Sequence, residues 1–256
     1  MSMATASALR AGYEREGFVL VEGVFDRALV EAAAGEAEGL LGRTELIATR
    51  NLRCRWQTDV RTGVCRFETF DPVVDIGPAC RELALDARLL SVLAGLYGEE
   101  ACLFKDKLIF KPPGVKGYGL HQDWIAWPGF PRSFLTVLVP LDPAHMENGC
   151  TVVYRGYHQG GTLSAEDGNY HELPADLVEE SRAVALELGP GDVAIFGGFT
   201  PHRSAPNRSD GWRRQLYLSY NKRSDGGEQR ARHYDEFHRW LRPKYAEYGK
   251  TDVFFE

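Results

Sequence analysis

No Cys-x-x-Cys pair occurs in this 256-residue chain, whose five cysteines, Cys54, Cys65, Cys80, Cys102 and Cys150, are scattered and odd in number. That spacing argues against a thiolate metal site and against a disulfide framework, so reduced cysteines, mostly packed, are expected. Nor is there a run of about 18 apolar residues, the length that crosses a bilayer. The opening segment MSMATASALRAGYEREG carries no apolar stretch of the signal-peptide kind. A cytoplasmic protein without membrane contact is the expectation. Positive charge is in deficit, with 30 Lys and Arg against 36 Asp and Glu and a net charge of −6. Binding to nucleic acid needs cations clustered against phosphate, so the expected partner is a small molecule and not a nucleic acid. Repeats, low-complexity tracts and Pro/Gly/Ser-rich linkers are missing too. With 44% hydrophobic and 26% charged residues, the chain has the composition of an ordinary globular protein, and one domain over 1–256 is the simplest account.

What is present falls into two parts. Up to about residue 100 the pattern is mainly helical: LRAGYERE ends at Gly17, FVLVEGVF alternates as a short extended piece, and Asp26 stands as a cap before RALVEAAAGEAEGLL. In DARLLSVLAGLY, Asp86 caps a helix with Leu89, Leu90, Val92, Leu93 and Leu96 on its apolar side. From residue 101 short β-type runs follow, CLFKDKLIFK, SFLTVLVPLD, CTVVY, AVALELG, DVAIFGG and RQLYLSYN, punctuated by Gly, Pro, Asn and Asp. Such spacing predicts a sandwich or barrel. The tail after 224 reads as helix up to Pro243.

Side chains alternate across a strand, so two of these runs can be split into faces. Lys105, Lys107 and Lys111 share one with Ile109, and Phe104, Leu108 and Phe110 the other. Arg213, Gln215, Tyr217, Ser219 and Asn221 share one face of the last strand, and Leu216, Leu218 and Tyr220 the other. The polar faces look either to bulk water, the ordinary meaning of alternation in an antiparallel sheet, or into a wet cavity with the apolar faces under the N-terminal helices.

The stretch YGLHQDWIAWPGF places His121 and Asp123 two residues apart, so on an extended segment both side chains point the same way. Imidazole nitrogen plus carboxylate oxygen, joined by a second histidine from elsewhere, makes the two-His-one-carboxylate set that holds Fe(II) by one face and leaves positions open. His202 is the candidate third ligand, because FTPH turns tightly out of the strand DVAIFGG. His158, in YRGYHQGG, competes with it.

The ordered set KLIFKPPG, HQDW, ENGCTVVYRGYHQG and GDVAIFGGFTPHRSAPNRSDGWRR, with YEREGFVLVEGVFD before it, resembles the phytanoyl-CoA dioxygenase family of Fe(II)- and 2-oxoglutarate-dependent oxygenases over nearly the whole chain. The resemblance implies a mainly β fold with flanking helices and a double-stranded β-helix core, jelly-roll and cupin-like. Its parts would be covering helices at 1–100, the jelly roll at 101–223 and a helical tail at 224–256. It implies Fe(II), 2-oxoglutarate and O2 as cofactors, with His121, Asp123 and His202 as the metal-binding catalytic residues. Arg213, eleven residues after the distal histidine, would bind the far carboxylate of 2-oxoglutarate. Arg214 is the neighbouring alternative, but it shares its side with Leu216 and Leu218. Ser204 and Lys107 fall at two further cosubstrate positions, while Gln122 would lie near the iron with its side chain turned away. The family's halogenating relatives lack the carboxylate, so Asp123 points to oxygen chemistry.

The reaction so implied is oxidation of a C–H bond, by hydroxylation or ring closure, with 2-oxoglutarate leaving as succinate and CO2. Tyr118, Trp124, Trp127 and Tyr217 are candidate substrate walls, and packing of the loop onto the barrel is the plainer role of the two tryptophans. Arg53, Arg55 and Arg66 are either pocket charges for an anionic or polyhydroxy substrate or exposed arginines, and Asn148 reads as a turn residue. The expected setting is secondary metabolism, with an orthosomycin-type oligosaccharide as substrate. A small amino-acid or phosphonate metabolite is the alternative. A non-catalytic jelly roll that binds a small molecule is the rival from another class.

Overall fold

The computed structural model describes residues 3–48 and 52–244. In chain order its elements are α1 (Met3–Glu16), β1 (Phe18–Val21), α2 (Arg27–Gly42), α3 (Thr44–Ala48), β2 (Cys54–Thr58), β3 (Cys65–Phe70), α4 (Pro78–Ala84), α5 (Ala87–Tyr97), β4 (Ala101–Lys111), β5 (Tyr118–His121), β6 (Leu135–Pro140), β7 (Thr151–Tyr154), β8 (Ala183–Ala185), β9 (Val193–Gly197), β10 (His202–Ser204), β11 (Arg213–Lys222) and α6 (Arg230–Leu241). Of the tail expected to be helical, 245–256 lies outside the described residues, as do 1–2 and 49–51.

The helices form where apolar spacing and end chemistry agree. In α5, Leu89, Val92, Leu93 and Leu96 are buried, the Asp86 carboxylate accepts from the Arg88 N–H, and Gly98 closes the helix in the left-handed region at φ 75°. Asp26 occupies the cap position of α2 but makes no side-chain cap bond; its Oδ2 instead accepts from Arg88 at 2.7 Å. The end of α4 is capped from another element. Pro78 has no N–H to satisfy, and Glu36 on α2 accepts from the Ala79 and Cys80 amides, both at 2.9 Å.

Two antiparallel sheets face each other: seven strands in the order β1-β9-β6-β11-β4-β3-β2 and four in the order β5-β10-β7-β8. The architecture is a mainly β jelly roll with flanking helices. The first hundred residues do more than cover it, since β1, β2 and β3 all join the large sheet. The latter two went unread in the sequence because CRWQT and CRFETF are short and polar on one side, and partner strands rather than local pattern make them strands.

Burial decides which way the alternating faces point. Leu108, Phe110, Leu216, Leu218 and Tyr220 pack with Val30, Ala37, Leu89 and Leu93 of the helices in the main core. The opposite faces of β4 and β11 are buried or half-buried as well: Arg213 and Gln215 are each 1% exposed. Their polar side therefore lines the space between the sheets and does not meet bulk water. Register sets the rungs of that interior, with Arg213 opposite Lys111, Gln215 opposite Ile109, Tyr217 opposite Lys107 and Ser219 opposite Lys105. A second apolar cluster, including Leu138, Val153, Ala194 and Phe196, fills the rest of the gap.

All five cysteines are free, and only Cys65 is exposed. Asn148 is the turn residue expected, accepting from the His145 amide and donating to the Pro143 carbonyl. Arg53 is not an exposed arginine: it is 1% exposed and donates to the Pro72 carbonyl at 2.7 Å. Arg66 does lie at the surface, 3.1 Å from Asp59. Among the described residues no helix is long and apolar enough to cross a membrane.

Candidate active site

His121 ends β5 and His202 begins β10, and the antiparallel pairing of these strands sets the two histidines opposite each other. Asp123 follows two residues after His121. Its Oδ1 lies 3.8 Å from His121 Nε2 and 3.7 Å from His202 Nε2. The three ligand atoms all fall within 4.8 Å of one another. A triangle with those sides has a centre about 2.4 Å or less from each corner, close to the about 2.0–2.2 Å of metal bonds to nitrogen and carboxylate oxygen.

The surroundings prepare the set for a cation. His121 Nδ1 donates to the Gly119 carbonyl at 2.8 Å and His202 Nδ1 to the Thr200 carbonyl at 3.0 Å. A carbonyl only accepts, so each ring carries its proton on Nδ1 and presents the bare Nε2. Burial, then the neighbouring His202, pushes the His121 pKa down to about 3, which keeps the ring neutral. Burial opposes ionisation of Asp123, but His202, Lys107, His121 and a 2.7 Å hydrogen bond from Thr136 Oγ1 outweigh it and hold the carboxyl below its ordinary range. Phe196 packs on His202 with ring centroids 4.6 Å apart. His158 takes no part, since its Nε2 lies against the Glu14 carbonyl at 3.2 Å beside α1.

Deeper between the sheets is a site for an anion. Arg213 Nη1 donates to Gln215 Oε1 at 2.9 Å, but its buried Nε has no partner and no carboxylate lies within 4 Å of it among the described residues. Directly opposite stands Lys111, a like charge that destabilises an empty ladder. Burial, then Arg213, pushes the Lys111 pKa down to about 6. Its ammonium donates to the Gly149 carbonyl and Ser204 Oγ, each at 3.1 Å, and to the Ala205 carbonyl at 2.5 Å. Ser204 Oγ also accepts from the Tyr118 amide at 3.2 Å. With two donors already pointing at that oxygen, its own proton is free to be donated to an acid. A buried guanidinium with a spare N–H, a lysine that a neighbouring acid would hold protonated and a free hydroxyl proton fit the far carboxylate of 2-oxoglutarate. Arg214 is on the other face, tied to Asp142 at 2.8 Å and 2.9 Å.

The remaining expected residues separate. Lys107 is not in the Arg213 pocket: register puts it opposite Tyr217, its Nζ 5.4 Å from that ring, and its charge acts on Asp123. Tyr217 OH lies 3.3 Å from Thr151 Oγ1. Tyr118 lies near the triad, its ring 6.5 Å from His121, and donates to Glu68 at 2.6 Å. Gln122 is turned away as expected, donating to the Gly161 and Phe199 carbonyls and accepting from the Leu163 amide. Trp124 makes packing contacts. It alternates with Asp123, so it stacks on Phe199 at 4.9 Å beneath Arg132, on the side where Gln122 is tied down. Trp127 joins Phe237 and Trp240 of α6 in an aromatic cluster.

Several residues escaped sequence reading. Lys111 and Thr136 had a signal, the first as the deepest of three lysines on one face and the second as the polar break in the apolar run LTVLVP. Glu68 and Tyr170 had none. Glu68 sits where β2 and β3 slip register, and burial raises its pKa to about 7. Tyr170 comes from a loop that crosses β5 and lies 5.2 Å from the His121 ring.

An antiparallel jelly roll carrying this donor set beside a buried guanidinium defines a class, the non-haem Fe(II)- and 2-oxoglutarate-dependent oxygenases. The phytanoyl-CoA dioxygenase family model matches residues 13–215, and the chain belongs to that family. It is 31% identical over 219 residues, 84% of this chain and 80% of the relative, to a protein named 2-aminoethylphosphonate dioxygenase from the uncultured bacterium HF130_AEPn_1. It is 35% identical over 147 residues, 57% of this chain and 55% of the relative, to the methylphosphonate hydroxylase of Gimesia maris. Among solved structures, the α-ketoglutarate-dependent epimerase SnoN from nogalamycin biosynthesis superposes with a TM-score of 0.69 at 23% identity, over 86% of this chain and 82% of that one, a likeness of fold.

Proposed function

We propose that this oxygenase hydroxylates a C–H bond of a small anionic metabolite of the phosphonate kind, with His121, Asp123 and His202 as iron ligands and Arg213 and Ser204 as holders of 2-oxoglutarate. The balance is substrate, 2-oxoglutarate and O2 to hydroxylated substrate, succinate and CO2. Fe(II) bound at the triad would supply the oxidising chemistry. The protein's own part is positional. Thr136 orients the Asp123 carboxylate, the carbonyls of Gly119 and Thr200 fix both imidazole tautomers, and Arg213 with Ser204 anchors the cosubstrate's far end. Tyr170, its ring 5.2 Å from that of His121, would limit water on that side of the triad.

The observation that carries the reading of the substrate is charge. Lys105, Lys107 and Arg55 together act on the one carboxylate of Asp71, and Lys105 and Lys107 both reach Asp123 electrostatically. Such an excess of half-buried cations attracts an anion. The names of the two phosphonate-oxidising relatives support the same chemistry, whereas an oligosaccharide substrate has only the fold likeness of antibiotic-pathway enzymes behind it. The test is succinate and CO2 release from labelled 2-oxoglutarate, with and without Fe(II), across phosphonates, amino acids and glycosides. Stimulation by a phosphonate is expected, together with its loss in Asp123→Ala and His202→Ala. Stimulation by glycosides alone overturns the substrate class, and no iron-dependent turnover in any arm overturns the reaction.

A further inference from the structure

The interior between the sheets holds more hydrogen-bonding capacity than its own side chains use. Arg55 on β2 and Thr69 on β3 stand opposite each other on one rung, and Thr69 in turn lies opposite Ile109 on the inner face of β4. Arg55 Nη2 and Thr69 Oγ1 are both buried, and neither has a hydrogen-bond partner among the described residues. Burying one unmatched donor costs stability, and two on a single rung are the mark of a place kept for a ligand.

The charges nearby define what kind. Asp71 Oδ2 is 3.6 Å from Lys105 Nζ and 4.0 Å from Arg55 Nη2, while Asp71 Oδ1 accepts from Tyr234 OH at 3.0 Å. Lys107 has no carboxylate within 4 Å among the described residues, and its ammonium rests over the Tyr217 ring. One carboxylate is thus shared among three cations. Phe237 roofs them, its ring centroid 5.5 Å from the Arg55 guanidinium carbon and 4.7 Å from Lys105 Nζ.

We propose that Arg55 and Thr69, flanked by Lys105 and Lys107, form the subsite that grips the oxyanion head of the substrate and so fixes which C–H bond lies before the metal. This rests on the reading of the substrate as an anion and adds the residues that read it. Two orphaned donors plus an unpaired ammonium suit the three oxygens of a phosphonate better than the two of a carboxylate.

Two variants test it. Thr69→Val keeps the shape and removes only the unpaired hydroxyl. Arg55→Gln removes the charge, but also a guanidinium that donates to the Leu52 and Cys54 carbonyls, so Thr69→Val keeps the test sound if the other misfolds. Binding of 2-aminoethylphosphonate, methylphosphonate and the carboxylate β-alanine is measured by calorimetry on protein loaded with Zn2+ and 2-oxoglutarate, where no turnover occurs. Phosphonate-stimulated succinate release and the KM for 2-oxoglutarate are measured with Fe(II). The expected result is phosphonate binding weakened about fivefold to tenfold by Thr69→Val and about thirtyfold or more by Arg55→Gln, with the KM for 2-oxoglutarate unchanged and β-alanine binding at least about tenfold weaker than the phosphonates in the wild type. Phosphonate binding equal in Thr69→Val and wild type overturns the subsite while the substrate class stands. Wild type that binds β-alanine as tightly as the phosphonates overturns the tetrahedral preference. Wild type that turns over 2-oxoglutarate but ignores every phosphonate overturns the substrate reading, and the subsite with it.

Discussion

Replacing Arg213 by Met keeps most of the side-chain volume and removes the guanidinium from the deep pocket. The wild-type group is 1% exposed, holds Gln215, and keeps an unpaired Nε. Loss of one partner from a buried charge-assisted pair costs binding about 2–5 kcal/mol. The lower half of that range applies, because Lys111 stands opposite and takes up a proton beside an acid once Arg213 no longer depresses its pKa. About 3 kcal/mol corresponds to a rise in the KM for 2-oxoglutarate on the order of 100-fold. Metal affinity should be unchanged, since Arg213 touches none of the triad, and the KM of the organic substrate should move little. The assay is succinate release against 2-oxoglutarate concentration, with Arg214→Met as the outward-facing control that leaves the same KM intact. A KM within threefold of wild type in Arg213→Met would falsify the assignment of this pocket.

Other outcomes follow from the same contacts. Thr136→Val removes the hydrogen bond that orients Asp123 and should weaken metal binding about tenfold, read by anaerobic Co2+ titration; unaltered affinity refutes it. In Gly117→Ala the new Cβ collides with the Ser204 backbone carbonyl, so β5 is forced off β10 and metal binding and stability should fall together in calorimetry and titration. Glu68 has its pKa raised to about 7 in the folded state, so folding takes up a proton and this contribution to stability is lost as pH rises from the ordinary glutamate value through 7. Glu68→Gln should therefore gain on wild type with rising pH, by at most about 3 kcal/mol above pH 7, in urea unfolding at pH 5 and pH 8. A difference independent of pH contradicts that account.

How much of this was legible before the fold is plain from particular residues. The HQD spacing and the histidine after a tight turn singled out the three candidate ligands, because two residues of extended chain place His121 and Asp123 on one side. The same alternation set Arg213 and Arg214 on opposite faces, and the structure has Arg213 buried between the sheets and Arg214 paired with Asp142. Alternation could not say what each face looked at, and two candidate residues have surroundings that only the fold supplies. Lys107 was assigned to the cosubstrate by the family resemblance, and the register of β11 sets it opposite Tyr217, with Lys111 opposite Arg213. Trp124 was offered to the substrate because it sits in a loop rich in Gly and Pro, with packing as the plainer role, and in the structure it alternates with Asp123 and packs on Phe199.

Local order along the chain determined the helix ends, the strand periodicity and the list of chemically competent side chains, since these depend on neighbours within a few residues. Distances between distant segments belong to the packed molecule alone. The meeting of His121 with His202, the opposition of two buried cations at Lys111 and Arg213, and the unpaired donors of Arg55 and Thr69 all arise from strand pairing between segments tens of residues apart or at a slipped register. Hydrogen-bonded ladders, closed around a dry core, convert a sequence of residue types into charges at fixed separation.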